Sequence, residues 1–169
     1  MPAPAAAGYA TALAAIKAGR SVDAELELKT LAMQYPRLNG PILNLGILYL
    51  NSARLPAAEA AFRRVIGRDP RNAVANDELG IVLRRLGKFQ AAERAYQRAI
   101  AAQPDYAPAH LNLGILYDLY LGEPHKALAQ YQRYLAIAGG QKQVENWVIE
   151  LRRRIGAPAS PVAKPKEPT

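Results

Sequence analysis

Few side chains in this chain could do covalent or acid–base chemistry, and their spacing assembles no reaction. There are two histidines, His110 and His125, and no cysteine. A metal site needs converging ligands, as in a His-x-x-x-His pair or a Glu-x-x-His repeat on one helix face. Neither pattern occurs. Without cysteine there is no thiolate nucleophile, no disulfide and no Cys-ligated metal. Gly114 and Gly122 form no phosphate loop, because no strand pattern precedes them and no Gly-Lys-Ser or Gly-Lys-Thr follows. Asp77 and Glu78 are adjacent carboxylates, and adjacent side chains on a helix point in different directions. The chain therefore reads as non-enzymatic, with no cofactor, no metal and no small-molecule substrate. Recognition chemistry remains. Asn44 and Asn112 each carry an amide that can donate to one peptide group and accept from another. Arg63 with Arg64, Arg84 with Arg85, and the run Arg152, Arg153 and Arg154 read first as solvated surface. Contact with an acidic protein, peptidoglycan-associated anions or an anionic lipid is the alternative.

The elements that position these residues show in a repeat. Asn44-Leu45-Gly46-Ile47-Leu48-Tyr49 returns unchanged as Asn112-Leu113-Gly114-Ile115-Leu116-Tyr117, and Glu78-Leu79-Gly80-Ile81-Val82-Leu83 lies halfway between. The period is 34 residues. A period of this size indicates stacked supersecondary units, not one globular core. After Gly46 come Ala58, Phe62 and Pro70; after Gly80 come Ala92, Tyr96 and Pro104. After Gly114 come Ala127 and Tyr131, with one extra residue in the turn before Ala127. That residue is expected to lengthen the first helix of its unit or widen the loop. A glycine inside a helix costs about 1 kcal/mol relative to alanine. Its place here predicts close helix approach, with Ala58 as the small residue facing Gly46.

This pattern resembles the tetratricopeptide repeat (TPR) family over roughly residues 5–139. The resemblance implies an all-α solenoid of helical hairpins with a concave ligand-binding face. It predicts four hairpins within 6–139, at about 6–36, 39–70, 73–104 and 107–138, while Pro2 and Pro4 oppose regular helix and predict a loose arm over 1–5. Ser21 is the expected cap of the second helix. After Gly139-Gly140, Val144, Trp147, Val148, Leu151 and Ile155 recur at helical spacing and predict a capping helix over 141–155, with Trp147 lining the last hairpin. The Pro/Ala/Lys-rich stretch 156–169 has too little apolar content to fold and is expected to be disordered. Gly46, Ala58, Gly80, Ala92, Gly114, Ala127 and Trp147 are the expected structural positions.

In the TPR family, residues flanking the Leu-Gly pair point into the groove. Carried over, this implies Leu43, Asn44, Ile47, Leu50 and Asn51 from the second unit. The third gives Asp77, Glu78, Ile81, Arg84 and Arg85, and the fourth Leu111, Asn112, Ile115, Asp118 and Leu119. Tyr9, Leu13, Ile16 and Lys17 extend the surface. Helical geometry independently puts Leu43, Ile47 and Leu50 on one face. Leu43, Ile47, Ile81, Leu111 and Ile115 are the expected apolar floor, with Ile47 and Ile115 facing solvent, and Asn44 and Asn112 the backbone clamps. The alternative role for the two asparagines is to tie adjacent helices together. The family's carboxylate clamp is absent, since Leu43 and Ile47 replace its polar pair.

The functional expectation is a protein–protein adaptor that binds a peptide or helix. The fourth unit through Tyr117, Leu121-Gly122, Ala127-Leu128, Tyr131, Tyr134 and on to Trp147 also resembles small bacterial TPR proteins associated with TonB-type transport systems. That implies an envelope transport or secretion assembly, with the periplasm or cell envelope favoured over the cytoplasm. A self-assembling homo-oligomeric scaffold is the competing reading. A nucleic-acid module is a distant third: formal charge is +8, but no recognition motif accompanies it. No apolar run approaches the ~20 residues of a membrane span. Met1–Ala7 lacks the basic region and Leu-rich run of a signal peptide, and would also fit a chain that starts after a removed signal or lipid anchor.

Overall fold

Nine α-helices follow one another through residues 1–156, the part of the chain that the computed structural model describes. They are α1 (Ala3–Lys17), α2 (Ser21–Gln34), α3 (Asn39–Asn51), α4 (Leu55–Ile66), α5 (Ala73–Arg85), α6 (Phe89–Ala102), α7 (Ala107–Leu116), α8 (Pro124–Ala138) and α9 (Lys142–Ile155). Each helix packs on the one before and the one after it. The tightest pairs are α1 with α2, α3 with α4, α5 with α6, and α7 with α8. The protein is an all-α solenoid of helical hairpins, and α9 packs on α8 to cap its C-terminal end.

Prolines stand where a helix tolerates them. Pro4, Pro56, Pro108 and Pro124 fall in the first turns of α1, α4, α7 and α8, where the missing N–H has no intrahelical partner to lose. This corrects the expected loose arm over 1–5. Pro2 is the N-cap of α1, Pro4 sits in its first turn, and Ala5 is fully buried. The expected cap at Ser21 is also corrected. Arg20 is the N-cap of α2, and no side chain caps that helix. Asn72 does cap α5, accepting from the Ala75 N–H at 2.9 Å. Of the expected tail 156–169, all but Gly156 lies outside the described residues.

The recurring glycines admit aromatic rings. A Cβ on Gly46 would lie 2.6 Å from the Phe62 ring, on Gly80 2.4 Å from Tyr96, and on Gly114 2.6 Å from Tyr131. The facing residue is therefore the aromatic one turn past Ala58, Ala92 and Ala127, a correction to the expected Gly46–Ala58 contact. The alanines are nonetheless fully buried. These rings belong to one apolar core that runs from Leu50 to Leu151, and a smaller cluster of Ala12, Leu28, Ile42, Leu45 and Val65 serves the first two hairpins. Trp147 is half-buried on the larger core, its ring centroid 5.6 Å from that of Tyr131.

The extra residue of the fourth hairpin is taken up as a π-helical turn over Tyr117–Leu121 that continues α7. Gly122 closes it in the left-handed conformation, at φ 64°. An inserted residue in a continuing helix leaves one wider turn, which is what a π-bulge is. It leaves Leu119 and Tyr120 exposed.

Candidate partner-binding groove

The first helices of the hairpins stand closer together than the second ones. Among the described residues α5 touches both α3 and α7, whereas α4 and α6, or α6 and α8, make no comparable contact. The array therefore curves around α1, α3, α5 and α7, which line its inner side. Leu43, Ile47, Ile81, Leu111 and Ile115 are half-buried there and pack against the core. Ile47 and Ile115 were expected to face solvent. Their lower faces are instead part of the hydrophobic cluster, and only their upper faces are free.

Hydrogen bonds cross the inner face from one hairpin to the preceding one. Asn44 donates to the Tyr9 hydroxyl at 2.6 Å and to the Gly40 carbonyl at 3.1 Å. Asn112 donates to both carboxylate oxygens of Asp77, at 3.0 and 3.2 Å. Both links between hairpins join residues 35 apart, as does the bond from Arg85 Nη1 to the Leu50 carbonyl, 2.9 Å. In the free protein the two asparagine amides thus tie adjacent helices.

Several expected groove residues lie elsewhere. Leu50 and Asp77 are buried, at 5% and 2% exposure, so neither presents a surface to a partner. Leu50 points into the core, and Asp77 is the acceptor that Asn112 needs. Asn51 lines a separate hollow of about 240 Å³ with Ile16, Ser21, Glu25, Leu48 and Arg54, between the first two hairpins. Asp118 is bonded by Arg154 of α9, which closes the C-terminal end of the inner face. Leu119 is exposed on the π-helical turn. Toward the N-terminal end, Leu13 and Lys17 are exposed and Ile16 is half-buried.

The centre of the inner face holds a charged group. Burial pushes the Asp77 carboxyl up to about 6, against the Asn112 hydrogen bond that favours its charged form. Burial, and then the neighbouring Asp77, push Glu78 up to about 7. Burial, together with the same two carboxylates, raises the Tyr106 hydroxyl to about 12. Glu78 occupies the position of Asn44 and Asn112, but the residue that would partner it in the preceding hairpin is Leu43. Among the described residues it has no hydrogen bond or ion pair. The Tyr96 hydroxyl and Arg84 Nε are likewise buried without a full hydrogen bond, although the two side chains lie together. The Arg84 guanidinium rests 5.5 Å from the centre of the Tyr120 ring, a contact made by the inserted turn.

Of the two histidines, His110 is structural. Its Nε2 donates to the Pro104 carbonyl at 2.9 Å, and Nδ1 lies 2.8 Å from the Gln130 side-chain oxygen. Asn76, 34 residues earlier, donates to the Pro70 carbonyl in the same way, at 3.0 Å. Among the described residues no group of three or more His, Cys, Asp or Glu side chains could hold a metal ion.

Glycine-notched helical hairpins, tied to one another by side-chain hydrogen bonds across the inner face, define a helical-repeat protein. Residues 71–139 match the family model described as Tetratricopeptide repeat, so this part of the chain carries TPR repeats. Similar solved structures include a MamA protein, 25% identical over 90% of this chain and 82% of that one, with a TM-score of 0.77. A thermophilic TPR protein of Thermus thermophilus is 22% identical over 90% and 83%, TM-score 0.74. The first TPR of Spaghetti (RPAP3), bound to the HSP90 peptide SRMEEVD, is 21% identical over 69% and 91%, TM-score 0.64. No curated protein matches the chain. The narrower resemblance to proteins of TonB-type transport systems finds no support in these comparisons.

Proposed function

We propose that this protein is a non-catalytic adaptor whose inner face takes a peptide or helix of a protein partner. The TPR fold is used generically for such interactions. The observation that carries the reading is the inner face itself: a half-buried aliphatic floor beside an unpartnered carboxylate, Glu78. A ligand segment would lay apolar side chains on Leu43, Ile47, Ile81, Leu111 and Ile115. It would present a hydrogen-bond donor, an amide or a cation, to Glu78. The peptide-bound TPR of Spaghetti shows a related fold holding a ligand of the opposite charge pattern. Here Leu43 and Ile47 leave no clamp for a ligand carboxylate. The proposed setting is a bacterial envelope transport or secretion assembly, a placement that rests on the resemblance of the fourth hairpin and α9. Fractionating native cells with an antibody to this chain tests it; recovery with cytoplasmic markers alone would remove it.

The test of the groove is partner capture from native extract by the intact protein and by the double variant Ile47→Asn, Ile115→Asn. A buried aliphatic contact contributes roughly 1.5–3 kcal/mol, so losing two should weaken capture by about 100-fold. Because both side chains also pack on the core, circular dichroism must show that the variant is folded at the assay temperature. Equal recovery by both folded proteins would reject the inner face as the site.

A further inference from the structure

The second helices of the hairpins form the outer face, and their arginines are in register. Arg64 of α4, Arg98 of α6 and Arg133 of α8 occupy one position of the repeat, the last displaced by the single residue of the π-helical turn. All three are exposed. Among the described residues neither they nor Arg68, Arg71 and Arg94 have an ion pair or hydrogen bond. Three carboxylates on the outer helices, Glu25, Glu59 and Glu93, are already engaged. Glu25 is held by Lys29 at 2.6 Å and by Arg54, Glu59 by Arg63 at 2.8 Å and by Lys88, and Glu93 accepts from the Tyr117 hydroxyl at 2.7 Å. The unpaired guanidiniums are thus a local surplus of positive charge at hairpin spacing, and Arg71 and Arg98 border one hollow.

A second observation lies on α2. Val22, Leu26 and Met33 are 81%, 68% and 75% exposed. At these positions α4 and its C-cap have Pro56, Ala60 and Gly67, and α6 has Gln90, Arg94 and Ala101. Among the described residues no other outer helix turns three large apolar side chains to solvent at these positions. This apolar stripe is continuous with the arginines. Leu26 and Met33 line a surface hollow of about 580 Å³ together with Lys29 and Arg64.

We propose that the outer face is a docking surface for an anionic lipid bilayer. A guanidinium is weakly hydrated and pairs with phosphate through two parallel hydrogen bonds. An apolar stripe flanked by basic residues enters the headgroup–acyl boundary while the charges stay among the headgroups. A polynucleotide would satisfy the arginines but offer no apolar phase to Val22, Leu26 and Met33. The contact is peripheral, since no helix among the described residues is long and apolar enough to cross a membrane. It leaves the inner face free, so it is independent of the groove.

The test is co-sedimentation of the full chain with vesicles of phosphatidylcholine alone and of phosphatidylcholine mixed with phosphatidylglycerol. Two triple variants accompany it: Arg64→Gln, Arg98→Gln, Arg133→Gln and, separately, Val22→Ser, Leu26→Ser, Met33→Ser. All six side chains are exposed, so both variants should keep the melting temperature of the parent. The expected result is binding to the anionic vesicles only, weakened about 100-fold by losing the arginines. Loss of the apolar residues should weaken it less and leave the remainder more sensitive to salt. Absence of parent binding to anionic vesicles at low salt would overturn the proposal. So would binding that neither variant changes. Binding of duplex DNA or RNA in place of vesicles, lost with the arginines and kept without the apolar residues, would assign the face to nucleic acid. A dimer abolished by the serine variant, with no vesicle binding, would assign the stripe to a second copy.

Discussion

The second and third hairpins place different chemistry on matched positions. Leu43, Leu50 and Phe62 of the second stand where the third has Asp77, Arg84 and Tyr96. The helix approach is the same in both, because Gly46 and Gly80 each yield space to an aromatic ring. Polar satisfaction differs. Phe62 has nothing to satisfy, whereas the Tyr96 hydroxyl is buried without a full hydrogen bond and Glu78 beside it has no partner. The backbone of the repeat thus depends on the glycine and the ring. The residues around them are free to vary, and in the third hairpin they carry charge that the fold itself does not fully use.

Changes at the shared notch should have the largest effect. A Cβ at Gly80 would sit 2.4 Å from a buried Tyr96 ring carbon that cannot swing away. Gly80→Ala should therefore lower stability by roughly 1–3 kcal/mol, despite about 1 kcal/mol of better helix propensity. Urea unfolding measures it. A gain in stability would mean that the ring does not fill the notch.

An intermediate effect should follow from neutralising the unpartnered carboxylate of the third hairpin. Glu78 has a folded-state pKa of about 7 against an ordinary 4.5, so the fold favours its protonated form. Its charge therefore costs stability progressively as pH rises from about 4.5 through about 7. Asp77, raised from 3.8 to about 6, acts in the same direction over a lower window. Glu78→Gln should raise the melting temperature near pH ~8 and leave it unchanged near pH ~4, where both proteins are neutral at this position. A lower melting temperature at the higher pH would mean that the carboxylate is paired.

The smallest effect should come from the turn inside each hairpin. Gly87 of the third hairpin has φ 74°, and its counterpart in the second is Ala53, at φ 57°. An alanine there carries left-handed strain that glycine avoids, partly offset by the entropy glycine loses on folding. Ala53→Gly should stabilise by about 0.5 kcal/mol in thermal melts. A loss would show that the strain is less than that entropy.

The hairpin architecture was legible because it repeats. A 34-residue recurrence of Leu-Gly, a following alanine and an aromatic residue is local in sequence and is enough to name the hairpin. Trp147 and the stripe after Gly140 likewise mark a helix with one apolar face. Contacts between hairpins are harder to read. Asn44 finds Tyr9, and Asn112 finds Asp77, at an offset of 35 and not 34, because neighbouring helices are staggered. That offset puts Asp77 under Asn112 and not in the groove. Leu50 departs from its expected place because it lies one turn past Gly46, on the face that meets α4, and is buried in the cluster that holds Phe62. The insertion before Ala127 is visible along the chain, but its resolution as a π-helical turn depends on how α7 packs on α8. Arg64 stands beside Arg63, but Arg98 and Arg133 are single along the chain, and their alignment shows only when whole hairpins are overlaid.

Whether partners bind the inner face is tested most directly by site-specific photocrosslinking in native extract. A photoreactive side chain at Ile81, in the centre of the inner floor, should give defined adducts with a partner protein. The same group at Gln97, on the exposed side of α6, should not. Adducts from Gln97 with none from Ile81 would refute inner-face binding and move partner recognition to the outer face.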